Sequence, residues 1–223
     1  MKILIPPSEG KNPQSDGPLF SMTHFMHTKE VEAIISQLQS YKGDYAELFD
    51  IKKERVEKVK SDHIHLFQQP TTKAIDRYSG VVYKNIEYAS LNNKSFFDDH
   101  VRIVSGLFGL LCPLTLIPNY RLKMSKLSLF EFWKPIITRE LAEEDIIIDC
   151  LTELHRKAYD HPNKIVVDFF IEKNGQLKNA GHHAKAVKGK FIRWLCENKI
   201  RDTKRFSQFR EEGYQWDGRV FVQ

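Results

Sequence analysis

Lys2-Ile3-Leu4-Ile5-Pro6-Pro7-Ser8-Glu9-Gly10-Lys11 is the stretch from which the fold is read. Three consecutive large aliphatic residues closed by a turn signal predict a short buried strand. The proline pair keeps its exit extended, because a residue before proline is pushed out of the helical region, and the chain passes into the polar segment Ser8 to Gly17. Two later stretches share this construction. Val101-Arg-Ile-Val-Ser105 stops at Gly106-Leu-Phe-Gly109, whose glycines permit close backbone approach, and Ile146-Ile-Ile-Asp-Cys150 runs into Thr152 and Glu153. If the three strands are adjacent and parallel, their polar C-terminal ends share one sheet edge, where open α/β sheets place ligands. Taken singly, the same ends are ordinary strand-to-loop turns.

Helical periodicity fills the intervals. Val31, Ile34, Ile35 and Leu38 define an amphipathic helix with Thr28 as N-cap, and Lys52 to Phe67 is a heavily charged helical candidate with a thin apolar stripe. Arg77 to Tyr83 reads as a turn or short strand. Leu129 to Leu141 has helical spacing despite Pro135. Lys164 to Glu172 and Gln176 to His183 flank Asn174-Gly175, a strong two-residue hairpin signal. A helix from about Ala184 to Asn198 follows, and Tyr214 to Val222 reads as a second small hairpin. With no repeat, low-complexity tract or linker, the expectation is a single compact α+β domain over residues 1–223, a mixed β-sheet with helices packed around it.

The 223 residues, 41% hydrophobic and 28% charged, match a globular composition and exclude disordered or collagen-like chains. The apolar runs fall far short of the ~20 residues of a membrane span, and no apolar h-region follows Met1. Cys112, Cys150 and Cys196 are odd in number and lie outside any C-x-x-C, which points to a reducing cytoplasm, and the apolar settings of Cys150 and Cys196 predict buried structural thiols there.

The net charge of +5 is localised: residues 184–223 hold 10 basic and 5 acidic side chains, and the rest of the chain is balanced at 24 of each. Such an excess suits an anionic partner, although a solvated basic face has the same composition. Within it, Lys185 and Lys188 are three apart, on one helix face, and a helix starting near Ala184 puts both beside its positive end. That costs stability unless an anion binds there. No phosphate loop, G-x-G-x-x-G, G-x-S-x-G or H-E-x-x-H occurs, and no cofactor is indicated. His24 with His27, His63 with His65, and His182-His183 lack a carboxylate or thiol at ligand spacing, so no metal site is assigned.

Together these residues resemble the YaaA family of bacterial peroxide-stress proteins along nearly the whole chain. The matching pieces are Ile3-Leu-Ile-Pro-Pro-Ser-Glu-Gly-Lys11, Tyr78-Ser-Gly-Val-Val-Tyr83, Ser105-Gly-Leu-Phe-Gly-Leu-Leu-Cys-Pro-Leu114, Tyr120-Arg-Leu-Lys-Met124 and Phe132-Trp133. They continue with Ile148-Asp149 before Thr152 and Glu153, Lys185-x-x-Lys188-Gly189, and Glu212-Gly-Tyr214. The resemblance implies a compact mixed fold with a positively charged cleft, cytoplasmic location, DNA binding, and protection from peroxide by keeping unincorporated iron low. It also implies a helix-hairpin-helix-like element, for which Ser105 to Leu114 is the nearest candidate, with Gly-x-x-Gly where that element usually has Gly-x-Gly.

Two functions compete. A duplex-DNA binder, expected to be monomeric, would use Lys185, Lys188, Lys190, Arg193 and Arg121 on phosphates. An enzyme for a small phosphate-bearing or nucleotide-like anion would use Ser8, Glu9, Lys11, Tyr78, Ser105, Gly106, Arg121, Thr152, Glu153, Lys185 and Lys188. There the two lysines hold the anion, Arg121 stabilises developing charge, and Glu9 or Glu153 exchanges a proton. A third, non-catalytic reading makes Cys196 a peroxide sensor, with Arg193 and Lys199 nearby.

Overall fold

The computed structural model describes residues 1–22, 25 and 27–223. Its strands are β1 (Lys2–Ile5), β2 (Thr72–Lys73), β3 (Val101–Ser105), β4 (Gly109–Leu111), β5 (Leu116–Ile117), β6 (Ile147–Asp149), β7 (Lys164–Val166), β8 (Phe169–Lys173), β9 (Gln176–Asn179), β10 (Gln215–Trp216) and β11 (Phe221–Val222). The helices are α1 (Thr28–Ser40), α2 (Tyr45–Phe49), α3 (Val56–Ile64), α4 (Ala74–Arg77), α5 (Val81–Ile86), α6 (Lys94–His100), α7 (Leu129–Leu141), α8 (Glu153–Arg156) and α9 (Gly181–Glu197).

The central sheet has the order β4-β3-β1-β6-β7. β3, β1, β6 and β7 are parallel, and β4 returns antiparallel to β3. Ile3 sits opposite Val101 on one side and Ile148 on the other, and Ile3, Leu4 and Ile5 are fully buried. This is why the opening run is apolar throughout: a central parallel strand is covered on both faces. The three strands with polar ends are therefore neighbours, and those ends share one edge.

A second sheet, β10-β11-β8-β9, joins two antiparallel hairpins through a parallel β11–β8 pairing. At the tip of the β8–β9 hairpin, Asn174 and Gly175 both have positive φ, 54° and 71°, as a two-residue primed turn requires. The core between this sheet and α9 is aromatic: Phe169 stacks on Phe221 at 4.9 Å and meets Tyr214 edge-on at 5.3 Å. The architecture is a compact α+β domain with mixed sheets, and no helix among the described residues is long and apolar enough to cross a membrane.

Several local expectations are corrected. Ser105 to Leu114 is the β3–β4 hairpin and contains no helix. Arg77 to Tyr83 ends α4 and begins α5, because Val82, Tyr83 and Ile86 form a buried helical face that outweighs the strand-like Val-Val pair. Lys164 to Glu172 is two strands in different sheets, broken at Asp168, whose carboxylate is held by Arg156 and Lys188. His27, not Thr28, occupies the N-cap of α1, and the Thr28 hydroxyl donates back to the Met22 and Phe25 carbonyls. The 52–67 segment is α3 flanked by short 3-10 turns. Finally, α9 begins at Gly181, so Lys188 lies two turns inside it and the argument from an N-terminal dipole falls away.

Candidate functional site

The loop after β1 is pinned from several sides. The Tyr83 hydroxyl donates to the Pro6 carbonyl at 2.8 Å, Lys11 pairs with Tyr78 as an isolated bridge, Ser79 N–H donates to the Gly10 carbonyl at 3.1 Å, and Asn12 N–H donates to the Arg77 carbonyl at 2.8 Å. Beneath it lies a buried hydroxyl chain. Tyr78 and Tyr120 oxygens are 2.6 Å apart, Tyr120 and Ser105 oxygens 2.8 Å, and Ser105 Oγ accepts from Phe108 N–H at 3.1 Å. Burial holds both phenols above their ordinary range, so they act here as neutral supports. Gly106 is glycine for a steric reason: a Cβ there would lie 2.9 Å from the Leu122 carbonyl and 3.0 Å from the Met124 nitrogen.

The walls of the cleft are charged. Arg121 Nε donates to the Phe49 carbonyl at 2.8 Å, and its Nη2 lies 3.2 Å from the Asp50 carbonyl and 3.7 Å from Glu9. Lys123 bridges Glu9 at 2.8 Å and Asp50 at 2.6 Å. Its ammonium lowers the Glu9 pKa, and those carboxylates raise its own. His63 is stacked on Phe49 at 4.5 Å. Its Nδ1 lies 2.7 Å from the Val59 carbonyl, its Nε2 accepts from Arg121 N–H at 3.1 Å, and burial lowers its pKa. A neutral Nδ1–H tautomer satisfies both contacts, leaving no lone pair for a metal.

Two adjoining cavities result. One of about 440 Å³ lies between the 9–13 loop, Arg55 at the N-cap of α3 with Lys58 and Asp62 on that helix, and residues 119–121. The other, about 110 Å³, lies between the 7–11 loop, residues 120–124 and Leu154-His155. Glu9, Lys11, Tyr120 and Arg121 line both. In the larger one Lys11, Arg55, Lys58 and Arg121 outnumber Glu9 and Asp62, so the space is cationic and suits anions.

Of the residues singled out from sequence, Ser8, Glu9, Lys11 and Arg121 line this cleft, with Tyr78, Ser105 and Gly106 immediately behind it. The others are elsewhere. Thr152 bonds His155 Nδ1 at 2.8 Å, and neither it nor the exposed Glu153 lines a cavity described above. Lys188 is buried, donating to Asp168 at 3.1 Å and to the Leu151 carbonyl at 3.3 Å. Lys190 is neutralised by Glu211 and Glu212, both at 2.7 Å. Arg193 pairs with Glu197 at 3.2 Å and Glu87 at 3.7 Å. Lys185 is exposed on α9. His24 and the His182 side chain lie outside the described residues.

Sequence reasoning missed Arg55, Lys58, Asp62, Lys123 and His155. A signal existed for three of them: positions 55, 58 and 62 recur at helical spacing on one polar face. Burial pushes the His155 pKa down to about 4, so it lines its cavity as a neutral imidazole.

A family model described as "Peroxide stress protein YaaA" matches residues 1–219. The chain belongs to the YaaA family of peroxide stress proteins. A UPF0246 protein of Francisella tularensis subsp. mediasiatica (strain FSC147) is 30% identical, over 97% of this chain and 95% of the relative. A UPF0246 protein of Francisella philomiragia subsp. philomiragia is 28% identical with the same coverage. Membership gives the chain a role in the peroxide-stress response.

In this family member, the Cys150 and Cys196 thiols are an unfavourable route for sensing peroxide. Cys150 and Cys196 are fully buried, which pushes Cys150 up to about 12 and Cys196 higher still, and the reactive species is the thiolate. Alkylation of the native protein should label only the half-buried Cys112. The other two should react on the order of a hundredfold more slowly until urea is added, as peptide mapping will read. A sulfenic acid on Cys196 after brief peroxide exposure contradicts this.

Proposed function

We propose that the chain serves the peroxide-stress response as a monomeric cytoplasmic protein that binds duplex DNA through this cationic cleft. The supporting observation is the convergence of Lys11, Arg55, Lys58 and Arg121 from three separate segments on one cleft, opposed by fewer carboxylates. Such a surface matches the charge of a phosphodiester backbone, reads no bases, and binds with a steep salt dependence. Limitation of unincorporated iron enters only through the family resemblance, as an effect on the cell.

Fluorescence anisotropy with labelled duplex over a salt series tests the proposal. Arg55→Ala/Lys58→Ala should weaken binding roughly tenfold near 0.1 M salt and reduce the log–log slope by about two, one per lost phosphate contact. Lys185→Ala probes the C-terminal segment separately. A larger loss there than in the double variant moves the contact surface to α9, and no binding by folded wild type at low salt rejects the proposal.

A second reading is favoured by cavity size and by Lys11. A recess of about 440 Å³ falls within the range of small-molecule sites, and a DNA surface has no need of one. In this reading a small phosphate-bearing substrate occupies the cleft.

A further inference from the structure

Lys11 holds its amine in a setting that an ordinary phosphate contact does not require. Nζ donates to the Ser8 carbonyl at 3.1 Å and lies 4.6 Å from the Tyr120 ring centroid and 5.5 Å from that of Tyr78. Among the described residues no carboxylate forms an ion pair with it, because Glu9 is drawn away by Lys123 at 2.8 Å and faces Arg121. Behind the loop, the fully buried Arg77 also meets neutral oxygens alone, and its Nε is left without a hydrogen-bond partner. It donates to the Asn12 carbonyl at 2.5 Å, the Gln14 carbonyl at 3.2 Å, Ser15 Oγ at 2.6 Å and the Ile117 carbonyl at 3.3 Å.

Burying an ammonium without a counter-ion disfavours its charged form. Burial first, then Arg121 and Arg77, push the Lys11 pKa down to about 8, with Glu9 opposing. A surface lysine at neutral pH is almost wholly protonated and inert. A desolvated lysine beside other cations keeps a usable fraction of neutral amine, which is how lysine becomes a nucleophile toward carbonyls. Lys11 also lines both cavities, and the larger has Arg55, at the N-cap of α3, and Lys58, on that helix, in its wall.

We propose that Lys11 is a nucleophile whose neutral amine condenses with the aldehyde or ketone of a phosphate-bearing substrate, the phosphate being held by Arg55, Lys58 and Arg121. The nitrogen lone pair forms the C–N bond while the carbonyl π electrons move to oxygen. Oxygen gains one proton and nitrogen loses one. The carbinolamine then expels its hydroxyl as water, so that amine and carbonyl compound give an imine and water with no change of oxidation state. The carbonyl belongs either to a free sugar phosphate or to the ring-opened deoxyribose of a base-less nucleotide in DNA, and only the second source rests on the DNA-binding reading.

The test is reductive trapping with sodium cyanoborohydride, which converts the imine to a stable secondary amine, followed by peptide mapping. One arm uses glyceraldehyde 3-phosphate, the other a duplex carrying a single abasic site, and binding of an undamaged duplex is measured on the same preparation. The expected result is an adduct on Lys11 at least about tenfold above that on the exposed Lys42 and Lys178, suppressed by inorganic phosphate and lost in Lys11→Arg. Facing Lys11 are Glu9, His63, Arg77, Tyr78, Tyr120 and Arg121. With the amine titrating at about 8 in that setting, the trapping rate should rise about tenfold from pH 7 to pH 9 and then level, whereas exposed lysines continue to rise beyond pH 10.

An adduct on Lys11 in either arm supports the proposal and identifies the source. Labelling spread evenly over surface lysines, or no adduct in both arms, overturns it, and wild-type mapping decides this even if Lys11→Arg is unstable. Undamaged duplex bound without any adduct rejects the nucleophile and keeps the DNA-binding reading. A glyceraldehyde 3-phosphate adduct without duplex binding does the reverse.

Discussion

Asp149→Ala is expected to remove about 3 to 5 kcal/mol of unfolding free energy, the usual effect of deleting one member of a buried ion cluster. Asp149 is fully buried at the end of β6. Its Oδ1 accepts from Leu151 N–H at 2.9 Å, and its Oδ2 accepts from Arg156 Nε at 3.1 Å and from the Tyr159 hydroxyl at 2.7 Å. Arg156 continues to Asp168 at 3.1 Å, and Asp168 to Lys188 at 3.1 Å. Two carboxylates and two cations thus tie β6, α8, the β7–β8 break and α9 together. Alanine removes one of the two carboxylates that hold Arg156 and leaves the buried Tyr159 hydroxyl without its acceptor. Urea unfolding at unchanged m-value will measure the loss, together with a Tm lower by roughly 6 to 20 °C for a chain of this size. Asp149→Ala/Arg156→Met should be less unstable than the sum of the single variants, because the stranded charge is gone. A single-variant cost below about 1 kcal/mol would show that water reaches this cluster and screens it.

Gly189→Ala should destabilise by up to about 2 kcal/mol net, against the sign that helix propensity assigns. In an isolated helix interior, alanine is better than glycine by about 1 kcal/mol. Here α9 meets α5 at this residue. A Cβ at 189 would collide with the Val82 carbonyl oxygen and lie 2.7 Å from Asn85 Cβ and 3.2 Å from the Asn85 carbonyl carbon. Two of these obstacles are backbone atoms, so relief requires the helices to part, at an overpacking cost of about 1 to 3 kcal/mol or more. Thermal and urea unfolding decide the matter by sign alone, since a stabilised variant would mean that the helices separate freely.

Both residues belong to the pieces that carry the family resemblance, and both illustrate why such pieces are hard to assign from sequence. Lys185-x-x-Lys188-Gly189 has the composition of an anion site, yet Lys188 belongs to the Asp149 cluster and Gly189 to a helix crossing. Ser105 and Tyr78 look like exposed hydroxyls for catalysis, yet they form a buried chain with Tyr120. The actual cleft takes Arg55 and Lys58 from a charged helix that reads locally as a solvated surface.

By itself, the sequence determined the features that depend on near neighbours. Three aliphatic runs with polar ends became parallel strands sharing an edge, Asn174-Gly175 made its hairpin, and Val31, Ile34, Ile35 and Leu38 buried one helix face. Those follow from periodicity and turn chemistry, which act over a few residues. Only the tertiary structure decided which charges are free to meet a ligand. A cation is neutralised by carboxylates that fold to within about 4 Å of it. Those of Lys188 and Lys190 come from about twenty residues away in sequence, Asp168 for the one and Glu211 with Glu212 for the other. Lys11, by contrast, is left with neutral oxygens and aromatic rings because Glu9, two residues away, folds toward Lys123.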